Sequence, residues 1–313
     1  MLTLEKGGLK IVLAAPGEYY RGTRFDHSGV FRAIYKDGRN YADEWFPVYD
    51  PLKHDAVCGP SEEFGEIGFD EAAPGGRFLK PGIGWLRRPD DEAYDRFRLY
   101  ELLDEGVRTT EVHGDRVIFG QRLDRYNYLK TIRLSGNDSF EIIHSLENLG
   151  DTPLKCTHYN HNFFTLSNDS VGPSREIDFP FRPDGHWRSE YDNVRLTGNG
   201  IRFTGAVPPE GPSVFMGDLH AASRMVEPRV PGGAGHFPAG EASGPKARRP
   251  EEEPIVFTLR DLGSGLGVRV SCPLPFTHIV FWSNDRVACI EPYILLDIAP
   301  GQSAEWTLTY RLF

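Results

Sequence analysis

The densest concentration of reactive side chains is the run Lys155-Cys156-Thr157-His158-Tyr159-Asn160-His161-Asn162-Phe163-Phe164-Thr165-Leu166. Two histidines and two asparagines sit there among aromatics, in a segment that otherwise reads as a buried β-strand. Polar and titratable groups in such a strand are costly unless they are hydrogen-bonded or used by a site. Imidazoles offer proton transfer near neutral pH, or metal ligation. In a regular strand Thr157, Tyr159, His161 and Phe163 share one face, and His158, Asn160 and Asn162 share the other. Histidines three apart cannot both look into one cleft without a bulge, so the pair is a poor metal chelate. The second anomaly is Glu291. It shares a face with Val287 and Cys289 in an apolar strand ended by Pro292, where a carboxylate must be paired, hydrogen-bonded or functional. Gly59-Pro60-Ser61-Glu62-Glu63-Phe64 sets two further carboxylates between a turn and an aromatic, a pattern that also suits a solvated acidic turn.

The elements that must position these groups read as strands. Leu9–Ala14 and Arg24–Phe31 are strand-like, and residues 36–81 read as a long ordered loop region rich in Asp, Glu, Gly and Pro. From Phe97 to Leu134 the period is mostly two, with turns at Gly106, His113-Gly114-Asp115 and Gly136-Asn137-Asp138. Arg96–Glu101, Val117–Phe119 and Tyr126–Leu134 are its strands. Phe140–Asn148, the run from Leu154, Asn193–Thr197, Ile201–Phe203 and Ser213–Met216 continue the meander. Ile255–Leu259, Gly267–Ser271, Thr277–Trp282, Val287–Tyr293 and Ala304–Leu312 close it. Residues 227–254 are a Pro/Gly-rich excursion, expected to be a surface loop. Gly82-Ile83-Gly84 has glycines two apart, but no helix follows, which excludes a dinucleotide fingerprint.

Glycine and proline (34 and 24 of 313 residues) leave little room for long helices, while 39% hydrophobic and 12% aromatic residues suffice for a core. The expectation is one all-β antiparallel sandwich domain spanning residues 1–313. A formal net charge of −10 argues against nucleic acid or an anionic membrane as partner. No apolar run reaches membrane-spanning length, and the N-terminus lacks a secretory pattern. Cys58, Cys156, Cys272 and Cys289 are dispersed, which suggests neither a zinc site nor a disulfide framework. A cytoplasmic protein, monomeric or homodimeric, is the simplest expectation.

Asn160-His161-Asn162-Phe163-Phe164-Thr165-Leu166 resembles the Asn-His-small-aromatic-Phe-Asn-Leu motif of the aldose 1-epimerases, the galactose mutarotase-like proteins. Phe281-Trp282-Ser283, Cys289-Ile290-Glu291-Pro292-Tyr293, Ala299-Pro300-Gly301-Gln302 and Trp306 to Tyr310 resemble that family's Glu-Pro segment, Pro-Gly turn and closing strand. The resemblance implies a β-supersandwich in which His161 and Glu291 are the general acid and base that interconvert the anomers of a monosaccharide or sugar phosphate, with no cofactor and no metal. Ordinary pKa values of about 6.5 and 4.3 suit those roles, and a nearby Glu291 is expected to push the His161 imidazole upward. Gly84-Trp85-Leu86-Arg87 resembles the Gly-Phe-Ala-Arg of the hexose-6-phosphate epimerase branch, with Ile83 where that branch usually has His. Arg87, His158, Asp218 and Glu63 are the substrate-binding candidates that follow. Non-catalytic carbohydrate binding on the same fold, or a carbohydrate lyase or hydrolase using Glu63 or Tyr159, are the other activities such a chain could carry.

Overall fold

The computed structural model describes residues 1–167, 170–187, 192–209, 214–221, 255–272 and 275–313; the 227–254 excursion lies outside them. Leu2–Lys6 (β1), Leu9–Ala14 (β2), Val30–Lys36 (β3) and Arg39–Ala42 (β4) form a four-stranded sheet in chain order. After Gly59–Phe64 (β5), the strands Arg77–Lys80 (β6), Gly84–Arg87 (β7) and Leu102–Asp104 (β8) make a small three-stranded sheet. Val107–His113 (β9), Arg116–Arg122 (β10), Tyr126–Leu134 (β11) and Ser139–Asn148 (β12) run as a meander. Next come Leu154–Phe163 (β13), Arg175–Asp178 (β14), Pro183–Trp187 (β15), Val194–Thr197 (β16), Gly200–Phe203 (β17) and Val214–Ala221 (β18). Ile255–Asp261 (β19), Leu266–Ser271 (β20), His278–Ser283 (β21), Ala288–Ile298 (β22) and Ser303–Leu312 (β23) end the chain. They assemble into a ten-stranded sheet, ordered β16-β17-β14-β19-β20-β23-β12-β11-β10-β9, and a six-stranded sheet, ordered β15-β18-β21-β22-β13-β5. The described residues contain no α-helix, and no helix long and apolar enough to cross a membrane.

Alternation explains why the two large sheets face each other. Along β11 and β12 buried and partly exposed residues alternate almost without interruption. Their buried sets, such as Ile132, Leu134, Phe140 and Ile142, pack in one hydrophobic cluster with Phe64, Leu154, Ile290 and Leu296 from the six-stranded sheet. Burying such side chains gives roughly 1.5–3 kcal/mol each before conformational entropy is charged against it.

A polar layer interrupts this apolar interface. Lys130 pairs across the ladder with His144, and His144 with Trp306, so one row of the ten-stranded sheet's inner face is polar. Glu62 meets that row from β5: its carboxylate contacts Lys130 Nζ and lies 2.5 Å from His144 Nε2. Asp26, 3.4 Å from Lys130 Nζ, supplies a second carboxylate. Burial raises the cost of the Glu62 charge, but His144 and Lys130 outweigh it and hold this carboxyl well below its ordinary range. Residues 59–64 are thus a fully buried strand, not a solvated acidic turn.

Arg39–Ala42 and Arg77–Lys80, within the expected 36–81 loop region, are the strands β4 and β6, and two expected strands do not form. Arg24–Gly29 is a loop leading into β3, and Arg96–Glu101 is not a strand. Asp95 accounts for the second: its Oδ1 accepts the Phe97 N–H at 2.9 Å and its carbonyl accepts the Arg98 N–H at 3.1 Å. This side-chain turn competes with strand pairing despite an alternating pattern.

Lys130→Met removes the only cation that touches both Glu62 and Asp26 among the described residues. The expected outcome is destabilisation of about 3–5 kcal/mol, because a buried charge loses its partner. A lowered urea midpoint measures it; an unchanged midpoint would refute the role given to this ion cluster.

Candidate active site

β13 and β22 place the two candidate catalytic groups side by side. Their register runs from Leu154 opposite Ile298 to Tyr159 opposite Tyr293. Continued in register, Asn160 would face Pro292 and His161 would face Glu291, but the ladder stops at Tyr159. Pro292 has no N–H to give. The Asn162 side chain takes its place, donating from Nδ2 to the Asn160 carbonyl at 3.0 Å and to the Ile290 carbonyl at 2.7 Å. Its Oδ1 accepts from the Tyr310 hydroxyl at 3.0 Å, which ties this junction to the ten-stranded sheet.

His161 Nε2 lies 3.1 Å from Glu291 Oε1, and both side chains are buried. His161 stacks on Phe163 with 3.8 Å between ring centroids, and Phe163 stacks on Trp45 at 5.1 Å. Trp282 meets His161 edge-on at 5.5 Å. These groups line a cleft of about 1220 Å³, closed on another side by residues 92–98.

Beneath the pair a charged network crosses to Glu63. Arg24 donates from Nε to Glu63 at 2.9 Å and from Nη2 to the Tyr159 hydroxyl at 2.9 Å. Tyr159 donates to Glu63, and Lys80 Nζ lies 3.0 Å from the same carboxylate. Arg96 Nη1 donates to the hydroxyls of Tyr159 at 3.3 Å and Tyr293 at 3.2 Å, and the Tyr293 hydroxyl lies 3.4 Å from Glu291 Oε2. Burial alone would push the Glu63 carboxyl up, but Lys80, Arg24 and Arg96 bring it down to about 2.

The same arrangement sets the candidate pair. Burial, followed by the positive charges of Arg24, Arg96 and His54, pushes the His161 imidazole well below its ordinary value. This reverses the expectation that Glu291 holds His161 protonated. Burial raises the Glu291 carboxyl to about 7 although Arg24 and Arg96 pull it down. One physical cause explains both shifts: each group is out of water, and the nearby guanidinium groups are already committed to Glu63.

The other expected site residues are scattered. Glu63 is buried under the cleft floor, neutralised by cations rather than presented to solvent. Arg87 lies on the outer surface, pairing with Glu101 at 2.7 Å, and does not line the cleft. Its neighbour Ile83 packs with Phe69, Phe78, Leu86 and Tyr100 in a satellite core. The turn that sends the chain there needs Gly82, whose φ is +80° and whose added Cβ would fall 2.6 Å from Asp26 Oδ1. His158 is on the inner face of β13, between Phe64, His144 and Trp306, and not in the cleft. No bulge in the β13 register turns it outward. Burial pushes its imidazole down to about 3 despite the pull of Glu62. Asp218 falls on β18, and its side chain lies outside the described residues.

Donor atoms of Glu62, His144 and His158 lie within 4.8 Å of one another, a spacing a cation could use. Lys130 already places positive charge on Glu62, so the trio fits an ion-paired core cluster better than a metal site. Arg24, Arg96, Trp45 and His54 were not candidates from the sequence. They reside in loops, where no periodicity marks which side chains turn inward.

Three solved structures share this architecture over nearly their whole length. They are the galactose mutarotase related enzyme of Lactobacillus acidophilus (12% identity, 100% of this chain and 97% of that one, TM-score 0.54), a galactose mutarotase-like protein of Clostridium acetobutylicum (13%, 99% and 94%, 0.54) and one of Lactobacillus casei (11%, 100% and 100%, 0.53). The chain therefore has the galactose mutarotase-like fold. At these identities the likeness is one of fold. No protein-family profile matches the sequence, and no curated protein does.

A carboxyl raised to about 7 binds its proton more tightly in the folded than in the unfolded chain. Its contribution to stability is complete below the ordinary carboxylate range and is lost as pH rises through about 7. Glu291→Gln removes that penalty, on the order of 3 kcal/mol above neutrality. Its Tm should exceed that of the parent at pH 8 and converge with it below about pH 4. A lower Tm at pH 8 would contradict the burial argument.

Proposed function

We propose that the protein is an aldose 1-epimerase-type isomerase that interconverts the anomers of a monosaccharide or sugar phosphate by general acid/base catalysis at His161 and Glu291. The observation that carries this is the buried imidazole–carboxylate contact of 3.1 Å at the cleft. Anomerisation requires one group to give a proton to the ring oxygen while another removes the proton of the C1 hydroxyl. The ring opens, the aldehyde turns, and closure reverses the two transfers.

Such a pair must hold one proton. With the imidazole depressed and the carboxyl near 7, the pair carries that proton at neutral pH and loses it above. Either placement of the proton leaves one acid and one base, so the titration belongs to the pair. A lyase or hydrolase is less well served. Glu63 is locked among cations, and burial pushes the Tyr159 hydroxyl well above its ordinary value.

We take residues 1–313 to form one such domain, in keeping with the full-length likeness of fold. Cys58, Cys156 and Cys289, free and buried, favour a reducing, cytoplasmic setting. The chemistry asked of His161 and Glu291 requires neither metal nor cofactor.

NMR exchange spectroscopy with a panel of aldoses tests the activity. His161→Asn and Glu291→Gln should each lower kcat/KM about 10²–10⁴-fold, the usual size of a general acid–base contribution. Full retention in either variant would sink the assignment, and sugar binding without rate enhancement in the parent would favour a non-catalytic carbohydrate-binding protein. For the parent, kcat/KM should fall as pH rises through about 7, since the doubly deprotonated pair has no acid to offer. A rate that climbs through that range instead would show that the pair works with a different proton count.

A further inference from the structure

Resting on the anomerase assignment, we propose that Tyr293 is a positioning residue. Its hydroxyl anchors Oε2 of Glu291 and leaves Oε1, the oxygen facing His161, to exchange protons with the sugar. Glu291 and Tyr293 stand two apart on β22 and share its cleft face. The two carboxyl oxygens are used differently: Oε1 lies 3.1 Å from His161 Nε2, and Oε2 accepts from the Tyr293 hydroxyl at 3.4 Å. That second contact is long, as catalytic hydrogen bonds often are before substrate arrives. Its direction is set from behind. Arg96 Nη1 donates to the Tyr293 oxygen at 3.2 Å, which leaves the hydroxyl hydrogen to point at Glu291. Tyr159 cannot take this place, because its hydroxyl receives from Arg24 and Arg96 and donates to Glu63. One guanidinium thus serves two hydroxyls, each aimed at a different carboxylate.

Tyr293 is held on both faces of its ring. It stacks between Tyr159 at 4.2 Å and His278 at 4.4 Å, within 17° and 18° of parallel, as one rung across β13, β22 and β21. Its carbonyl accepts the Thr277 N–H at 2.7 Å. A glutamate side chain needs such an anchor, because entry of the sugar takes away its contact with His161. The ring oxygen and the C1 hydroxyl have to come between Nε2 and Oε1. Oε1 then gives its proton to the ring oxygen as Nε2 takes that of the C1 hydroxyl. The bond from C1 to the ring oxygen breaks, and the electron pair left on the C1 oxygen closes the aldehyde C=O. With Oε2 on Tyr293, Oε1 keeps its place through that exchange. Arg24, Arg96, Glu63, Tyr159, His161 and Cys289 also face Glu291, and its cross-strand neighbour on β21 is the apolar Val280. Among the described residues, Tyr293 is the hydroxyl that touches this carboxylate.

Tyr293→Phe keeps the ring and its stack and removes the donor. The ionised carboxylate then loses a hydrogen bond, so the pair keeps its proton to higher pH. By NMR exchange with free aldoses, kcat/KM should drop about ten- to a hundredfold. Its alkaline fall should move up by roughly half a pH unit or more. Carbon NMR of the Glu291 carboxyl, in protein without sugar, should show the titration displaced in the same direction. A rate loss with neither the alkaline fall nor the carboxyl titration displaced would mark Tyr293 as a packing residue and overturn the anchoring, leaving the anomerase assignment standing. Unchanged kcat/KM would overturn it in the same way. No anomerisation by the parent would overturn the assignment and the role of Oε1 together, whatever the carboxyl titration shows.

Discussion

Two consecutive carboxylates on β5 have to be buried, one on each face of the six-stranded sheet, and much else follows from that constraint. Glu62 points into the space between the large sheets, and Glu63 points under the cleft. An unpaired carboxylate in either place would be prohibitively expensive. Each has therefore drawn its own cations: Lys130 to Glu62, which the His144 ring also contacts, and Arg24, Lys80 and Arg96 to Glu63. These cations arrive from β3's leading loop, β6, β11 and the 92–98 segment. Neutralising one dipeptide thus ties together four parts of the chain that share no local sequence signal.

The cleft inherits its electrostatics from this arrangement. Arg24 and Arg96 lie close enough to His161 to disfavour an imidazolium, yet they are too occupied with Glu63 to ionise Glu291 fully. Geometry acts in the same place. Pro292 ends the β13–β22 ladder one residue short of the pair, and Asn162 binds the freed carbonyls so that the strands part without leaving buried acceptors unsatisfied. Had the ladder continued unbroken, His161 and Glu291 would have been an ordinary cross-strand pair in a regular sheet.

Alternation made much of this legible in the sequence. It separated His161 from His158, and the structure keeps them on opposite faces of β13, one at the cleft and one in the core. The long strands β11, β12 and β23 announce themselves by period two. The segments that escaped detection share a different cause. β5 carries Gly, Pro, Ser and two Glu, a composition that argues for a turn, and its antiparallel ladder with β13 and its long-range ion pairs make it a strand. Residues 96–101 alternate correctly but are captured by the Asp95 turn. Arg87 stands in a motif with the right local pattern, and the Gly82 turn and the packing of Ile83 carry it to another surface. Local pattern reports which face a residue takes within its strand; it does not report where the strand goes.

If the proposed anomerisation is the reaction, a one-proton pair has a consequence for turnover. Suppose the carboxyl of Glu291 begins with the proton, as burial favours. Ring opening then moves that proton to the ring oxygen and brings the C1 hydroxyl proton to His161, leaving carboxylate and imidazolium. This is the arrangement the neighbouring guanidinium groups resist on the imidazole, so it is a high-lying state and not a resting one. Closure on the other face of the turned aldehyde returns a proton from imidazolium to the C1 oxygen and takes one back from the ring hydroxyl to the carboxylate. The pair ends as it began, with no proton exchanged with water. A buried pair suits such a cycle, because it asks for no net change of charge across the turnover.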